Sequence, residues 1–138
     1  MNSPPAPEWT ALLPPSLDEF AALAEAALAA LPAEFRAFTG DVVFRVLDFA
    51  DDAVLDDLGI EDPFELSGLY QGVDRARRSV IGPAAGTSTV FLYRRPILDE
   101  WAERGNVTLG ELITHVLVHE IGHHFGLSDD DIDAIEAR

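Results

Sequence analysis

The sequence contains no cysteine, only one methionine and few basic residues. Without cysteine the chain forms no disulfide, and any metal ion has to be held by nitrogen and oxygen ligands. Its 9 basic residues stand against 25 acidic residues, which gives a formal net charge of −16. This charge repels phosphate backbones and anionic membrane surfaces, so neither nucleic acid nor a membrane is an expected partner. A neutral or basic partner is favoured, although the charge can also serve solubility alone.

Long hydrophobic runs are also missing. The apolar stretch 21–31 is too short to cross a bilayer and is interrupted by Glu25. The first eight residues have no basic region and no continuous apolar core, which argues against a secretory signal. We therefore expect a cytoplasmic location. With 138 residues, 48% of them hydrophobic, the chain has the size and apolar content of one packed domain.

The predicted organisation is a flexible arm followed by a single domain. Residues 1–15 hold five of the nine prolines and are expected to form the arm, so the domain spans residues 16–138. Capping residues, helical spacing and β-branched runs predict the elements of this domain. In order they are a helix over 16–31, a strand over 41–49, an acidic helical turn over 51–59, a hairpin of 79–81 with 87–94, a helix over 97–104, a motif helix from Thr108 to Gly126, and an end helix that continues to Arg138. This order predicts an α+β domain in which a small sheet packs on the motif helix.

The motif helix carries the residues that indicate chemistry, in the pattern His119-Glu120-x-x-His123-x-x-Gly126-x-x-Asp129. Two histidines four residues apart lie on one helix face, so both rings can bind one zinc ion. Glu120 directly follows the first histidine, and from there its carboxylate can reach a metal-bound water without binding the metal. Gly126 permits a positive φ that ends the helix and turns the chain back toward the metal. Asp129 is the residue that this turn brings close to the metal.

Alternatives stay open for these residues. The helix is apolar almost all round, so its histidines can be ordinary hydrogen-bonded core residues and Glu120 a capping group. Asp130 and Asp131 lie close enough to Asp129 to be the third ligand instead. Ser128 or Asp129 can also cap the end helix, where further aspartates are favourable in the first turn.

The chain resembles a small bacterial family of zincin-like metallopeptidases described as minimal zincins. The similarity covers most of residues 17–131 and is carried by residues 68–72 (Gly-Leu-Tyr-Gln-Gly), 92–97 (Leu-Tyr-Arg-Arg-Pro-Ile) and 119–127 (His-Glu-Ile-Gly-His-His-Phe-Gly-Leu) with the acidic residues that follow. The resemblance implies a mixed sheet beside a buried motif helix. It also implies that one zinc ion (Zn2+) is bound by His119, His123 and Asp129, which fall where the extended zincin motif places its three ligands.

The chain departs from the metzincins, a group of larger zincins with a similar extended motif. Metzincins carry a methionine turn beneath the metal, and the only methionine in this sequence is Met1. Nine residues follow Asp129, too few for the lower subdomain that forms the second cleft wall of larger zincins. A shallow, open site is therefore expected.

The predicted function is a zinc-dependent metallopeptidase acting on a peptide or protein substrate. Three protein ligands leave the fourth zinc position to water, and Glu120 would take the proton of this water as general base. Tyr70, Tyr93 and His115 are candidates for a second electrophile, and the strand 87–93 is a candidate for the edge that binds an extended peptide. One alternative is a non-catalytic, zinc-stabilised module that binds peptides or proteins. Another is a metal-dependent ribonuclease, which the acidic charge disfavours.

Overall fold

The computed structural model describes residues 8–37, 39–40, 42–72, 88–124 and 126–136. In chain order the elements are a 3-10 helix Glu8–Ala11, α1 Leu17–Ala29, α2 Ala33–Arg36, β1 Val42–Leu47, α3 Asp52–Leu58, a second 3-10 helix Pro63–Glu65, β2 Gly68–Gln71, β3 Ser88–Tyr93, α4 Arg94–Arg104, α5 Leu109–His124 and α6 Asp129–Glu136. The predicted α+β architecture is confirmed. None of the described helices is both long enough and apolar enough to cross a membrane.

The described strands form one mixed sheet in the order β1-β3-β2. β1 runs parallel to β3, with Val42 opposite Ser88, and β2 runs antiparallel to β3, with Gly68 opposite Leu92. The prediction that the strand 87–93 offers a free edge was wrong, because β3 has a neighbour on both sides. β2 is the outer strand on the side of the sheet nearest the motif residues. The other half of the predicted hairpin, 79–81, lies outside the described residues.

α5 is the predicted motif helix, and it lies between α1 and the sheet. Its buried side chains are Leu112, Ile113, Val116, Leu117, Val118 and Ile121. They pack with Phe20 and Ala24 of α1 and with Val90 and Leu92 of β3 in one hydrophobic core. Since apolar residues cover most of the helix surface, α5 has to be enclosed by other elements, as the sequence predicted.

Local sequence signals set several element ends. Ser16 caps α1 in a reciprocal capping box, in which the Glu19 amide donates to Ser16 Oγ and the Ser16 amide donates to Glu19 Oε1, both at 3.1 Å. At the start of α5, the Glu111 amide donates to Thr108 Oγ1 at 3.1 Å. α4 begins earlier than predicted, at Arg94 rather than residue 97. Proline is tolerated in the first turn of a helix, where its missing N–H has no helical partner, so Pro96 does not delay the start of α4.

The segment before α1 was predicted to be part of a flexible arm. Residues 8–11 form a 3-10 helix, and the side chains of Trp9, Leu12 and Leu13 are largely exposed. Arg94 contacts the end of this segment, because its Nη1 donates to the Pro15 carbonyl at 2.8 Å. The division into an arm and a domain at residue 16 stays a prediction.

Candidate metal centre and active site

Three histidines four residues apart line one face of α5. The ring centroids of His119 and His123 are 6.1 Å apart, and those of His115 and His119 are 4.3 Å apart in an edge-to-face contact. An imidazole that binds zinc at about 2.0–2.1 Å has its ring centre about 3 Å from the ion, so two rings on a tetrahedral ion lie about 5 Å apart. The rings of His119 and His123 are somewhat further apart than this and would move closer together to share one ion. The helical spacing thus brings the two predicted histidine ligands together.

The third predicted ligand is not tested by the geometry. The side chain of Asp129 lies outside the described residues, although its backbone forms the first residue of α6. Within the described part of the chain, no group of three or more histidine, cysteine, aspartate or glutamate side chains is placed to hold a metal ion. The two histidines supply nitrogen donors of the type that zinc accepts, and one carboxylate oxygen would complete a set of three protein ligands.

Glu120 points from α5 toward the outer strand. The backbone N–H of Tyr70 in β2 donates a hydrogen bond to its carboxylate, and the side chain is partly buried. Burial raises the pKa of Glu120 above its ordinary value of 4.5, and the opposing effects of the nearby His123 and of the Tyr70 N–H are smaller. Glu120 is therefore a stronger proton acceptor than an exposed glutamate, and its carboxylate is held at a fixed position.

Gly68 allows β2 to lie close to Glu120. A Cβ atom at this position would lie 2.9 Å from Val116 Cγ1 and 3.2 Å from Glu120 Cγ. Glycine is therefore required for the close approach of the strand to this turn of α5. Sequence reasoning noted residues 68–72 but did not identify them as a strand.

The end of α5 turns sharply into α6. Gly126 has φ of 70°, the Leu127 amide donates to the Gly122 carbonyl at 2.9 Å, and the Gly126 amide donates to the His123 carbonyl at 3.1 Å. This pattern is the Schellman motif, which commonly ends a helix at a left-handed glycine. The helix end that was predicted at Gly126 is confirmed.

Ser128 caps α6 and engages one of the candidate aspartates. The Asp131 amide donates to Ser128 Oγ, and the Ser128 amide donates to Asp131 Oδ2, both at 3.1 Å. The Asp131 carboxylate therefore has a structural role at the start of α6. This leaves Asp129 and Asp130, the first two residues of the helix, less constrained by capping.

Gly122 sets the distance between α5 and α6. A Cβ atom there would lie 2.7 Å from both Cγ1 and Cδ1 of Ile132, whose side chain is fully buried. Ile132 therefore packs directly against the α5 backbone, one turn of helix away from His119 and Glu120. This contact fixes where α6, and with it the backbone of Asp129, meets the motif helix.

Gly122→Ala is expected to destabilise the fold by about 1–3 kcal/mol, because a buried isoleucine has to move to make room. Gly110→Ala provides the control in the same helix. A Cβ at Gly110 meets no atom within 4 Å, so this change is expected to stabilise the fold by about 0.5–1 kcal/mol through helix propensity. Urea denaturation of both variants measures the difference. Shifts of the same sign would contradict the proposed contact.

The three candidate electrophiles have different surroundings. Tyr93 is buried with Ala50 and Leu55 in a second hydrophobic cluster, and burial raises its pKa to about 12, with smaller contributions from the charges of Asp51 and Glu120. The Tyr70 hydroxyl lies 2.9 Å from Oγ of the buried Ser88. His115 differs from both, because its ring contacts the ring of His119 directly.

Two comparisons with known proteins bear on the family of this chain. A search among curated proteins finds no match. Residues 39–138 match the family model of the zincin-like metallopeptidases. This region contains the whole described sheet, α5 with its histidines, and α6. The chain therefore belongs to the zincin-like metallopeptidase family.

Proposed function

We propose that the protein is a zinc-dependent metallopeptidase that hydrolyses peptide bonds, with Glu120 as general base and one zinc ion bound by His119, His123 and Asp129. Family membership supports a hydrolase of this class. The observation that carries the proposal is the placement of Glu120, a partly buried carboxylate beside two histidines and held by the Tyr70 amide. A glutamate with a capping role only would not need this support from a neighbouring strand.

In the proposed reaction, the metal and the side chains of the protein have different roles. Zinc at this position would polarise the peptide carbonyl and lower the pKa of a bound water toward about 7. Glu120 accepts the proton of the attacking water and transfers it to the leaving amine. The Tyr70 amide keeps the carboxylate oriented through both proton transfers. Partial burial favours the protonated form that Glu120 has to adopt between them.

The acidic charge of the protein supports a neutral or basic peptide as substrate. With its net charge of −16, the protein repels an acidic peptide at long range and attracts a basic one. This attraction weakens as salt is added. The same charge is the reason why we do not propose nucleic acid or an anionic membrane as a partner.

Removal of the metal tests the proposal. Protein purified without added metal is expected to contain about one zinc per chain, because three ligands from one domain bind a single ion. Treatment with a chelator followed by its removal should abolish peptide cleavage, and one equivalent of zinc should restore it. Elemental analysis and a peptide-library digest measure both quantities. Equal cleavage by zinc-free protein would refute the proposal, and zinc without cleavage of any peptide would favour the binding module instead.

A further inference from the structure

A groove of about 920 Å³ lies between the second half of α1 and the first half of α5. Ala26 and Ala27 of α1, with Ala30 directly after its end, form much of one wall, and Val118 and His115 of α5 form part of the other. The volume is at the upper end of the range of about 300–1,000 Å³ that is usual for ligand sites. The groove is thus large enough to take up one or two side chains of a peptide.

One end of the groove lies beside the candidate metal centre. His115 lines the groove, and its ring is in edge-to-face contact with the ring of His119 at 4.3 Å between centroids. Four residues, about 6 Å of helix, separate these two residues along α5. A peptide whose carbonyl lies at the histidine face therefore has a neighbouring side chain within reach of the groove.

The residues that line the groove favour an apolar side chain over a charged one. Its charged residues are Arg104 and Glu111, one of each sign, and the Arg104 guanidinium is already paired with Glu100 at 2.9 Å. An acidic side chain would therefore face Glu111 and an arginine that already has a partner, and a lysine would gain only the exposed Glu111 carboxylate, whose attraction is weakened by solvent. Small alanine side chains leave the groove wide, so the fitting occupant is a large apolar side chain.

We propose that this groove binds a large apolar side chain of the substrate, leucine or phenylalanine, next to the peptide bond that is cleaved. The inference rests on the proposed peptidase function, since that function supplies the peptide. It assigns a preference for large apolar residues to the surface between α1 and α5, away from the metal ligands themselves.

Binding of matched peptides to the Glu120→Gln protein tests this preference. The peptides are blocked hexapeptides that differ at one position, which is leucine, phenylalanine, alanine or lysine. The leucine and phenylalanine peptides are expected to bind about tenfold more tightly than the alanine and lysine peptides, because they transfer more apolar area out of water. Isothermal titration is carried out with the zinc-loaded and the zinc-free protein. The same ranking is expected in both, since no metal ligand lines the groove.

Two variants of α1 test whether the apolar side chain binds in the groove. Ala26→Leu, in the same Glu120→Gln background, fills the groove and should reduce the tenfold preference to about twofold. Ala22→Leu is the control, because Ala22 is also exposed on α1 but does not line the groove. In protein labelled at its alanine methyl groups, the leucine peptide should shift the NMR signals of Ala26, Ala27 and Ala30 and leave that of Ala22 unchanged. Equal binding of all four peptides would overturn the inference. An equal loss of the leucine preference in Ala26→Leu and Ala22→Leu would overturn it as well.

The wild-type protein separates this inference from the proposed function. If the leucine preference is present but no peptide is cleaved, the groove is confirmed as a binding site and the peptidase proposal fails. If peptides are cleaved at equal rates whatever residue they present to the groove, the peptidase proposal stands and the groove inference fails.

Discussion

Glu120→Gln is expected to lower kcat/KM for peptide cleavage by at least about 100-fold while the zinc content stays unchanged. General acid–base catalysis contributes about 10²–10⁴-fold, and glutamine cannot accept the proton. The substitution keeps the size of the side chain, and its amide oxygen can still accept the hydrogen bond that Tyr70 donates to the glutamate. Initial rates on a cleaved library peptide, with elemental analysis of the same samples, measure both quantities. Unchanged cleavage by the variant would remove Glu120 from the mechanism.

The same variant has an expected effect on the stability of the zinc-free protein, which serves as its folding control. Burial raises the pKa of Glu120 in the folded state, so the ionised carboxylate destabilises the fold, and stability falls as pH rises from the ordinary value of 4.5 through the raised pKa. Glutamine has no such cost. Zinc-free Glu120→Gln should therefore melt at a higher temperature than the wild type at pH 7 and at the same temperature below pH 4. A lower Tm at pH 7 would indicate that glutamine disturbs the site.

Glu120→Gln also separates the classes of function. A peptidase loses cleavage and keeps zinc when the base is replaced. A zinc-stabilised binding module keeps its partner and cleaves no peptide in either form. A metal-dependent ribonuclease would cleave RNA, and the charge of −16 opposes the binding of its substrate.

Asp129→Ala is expected to weaken zinc binding by at least about 100-fold, because it removes one of three protein ligands from a site that holds no thiolate. The neighbouring aspartates provide matched controls of equal charge. Asp130→Ala should bind zinc as the wild type does. Asp131→Ala should also keep zinc, but it loses the carboxylate that accepts the Ser128 amide, and should lower the free energy of unfolding by about 1 kcal/mol.

Competition with a chromogenic chelator gives the zinc affinities of the three variants, and chemical denaturation of the zinc-free proteins gives their stabilities. Retention of zinc by Asp129→Ala together with its loss from Asp130→Ala would assign the third ligand to Asp130. Loss of zinc from Asp131→Ala would mean that this carboxylate leaves its capping role when the metal binds.

Local signals made part of this fold predictable. The capping box of Ser16 and Glu19 and the left-handed glycine at Gly126 depend on residues a few positions apart, so the sequence identifies them directly. The pairing of His119 with His123 is equally local, because the helical repeat alone puts both rings on one face.

The order of the sheet was not predictable in the same way. β3 pairs with β1 in parallel and with β2 in antiparallel orientation. These pairings join segments that are far apart in the sequence, and the composition of β3 fits an edge as well as a central position. A hairpin with the nearer segment 79–81 was the local alternative, and it falls outside the described residues.

The support of Glu120 depends on the same distant contacts. The approach of β2 follows from the absence of a side chain at Gly68, which matters only because Val116 and Glu120 lie opposite. A motif identifies Glu120 as the candidate base, whereas the strand that contacts it can be found only from the packing. The sequence therefore indicates candidate reactive groups, whereas their surroundings depend on contacts between distant segments.

The contact of Ile132 with Gly122 has a consequence for the kinetics of metal exchange. α6 has eight residues, and Ile132 is the fully buried one among its described side chains. A helix of only eight residues separates from its neighbour at a lower free energy than global unfolding requires. With Asp129 as a ligand, each such opening would release one zinc ligand while α5 and its histidines stay folded. The exchange of the metal would then follow the local opening of α6, and bound zinc would slow hydrogen exchange at the amides of that helix.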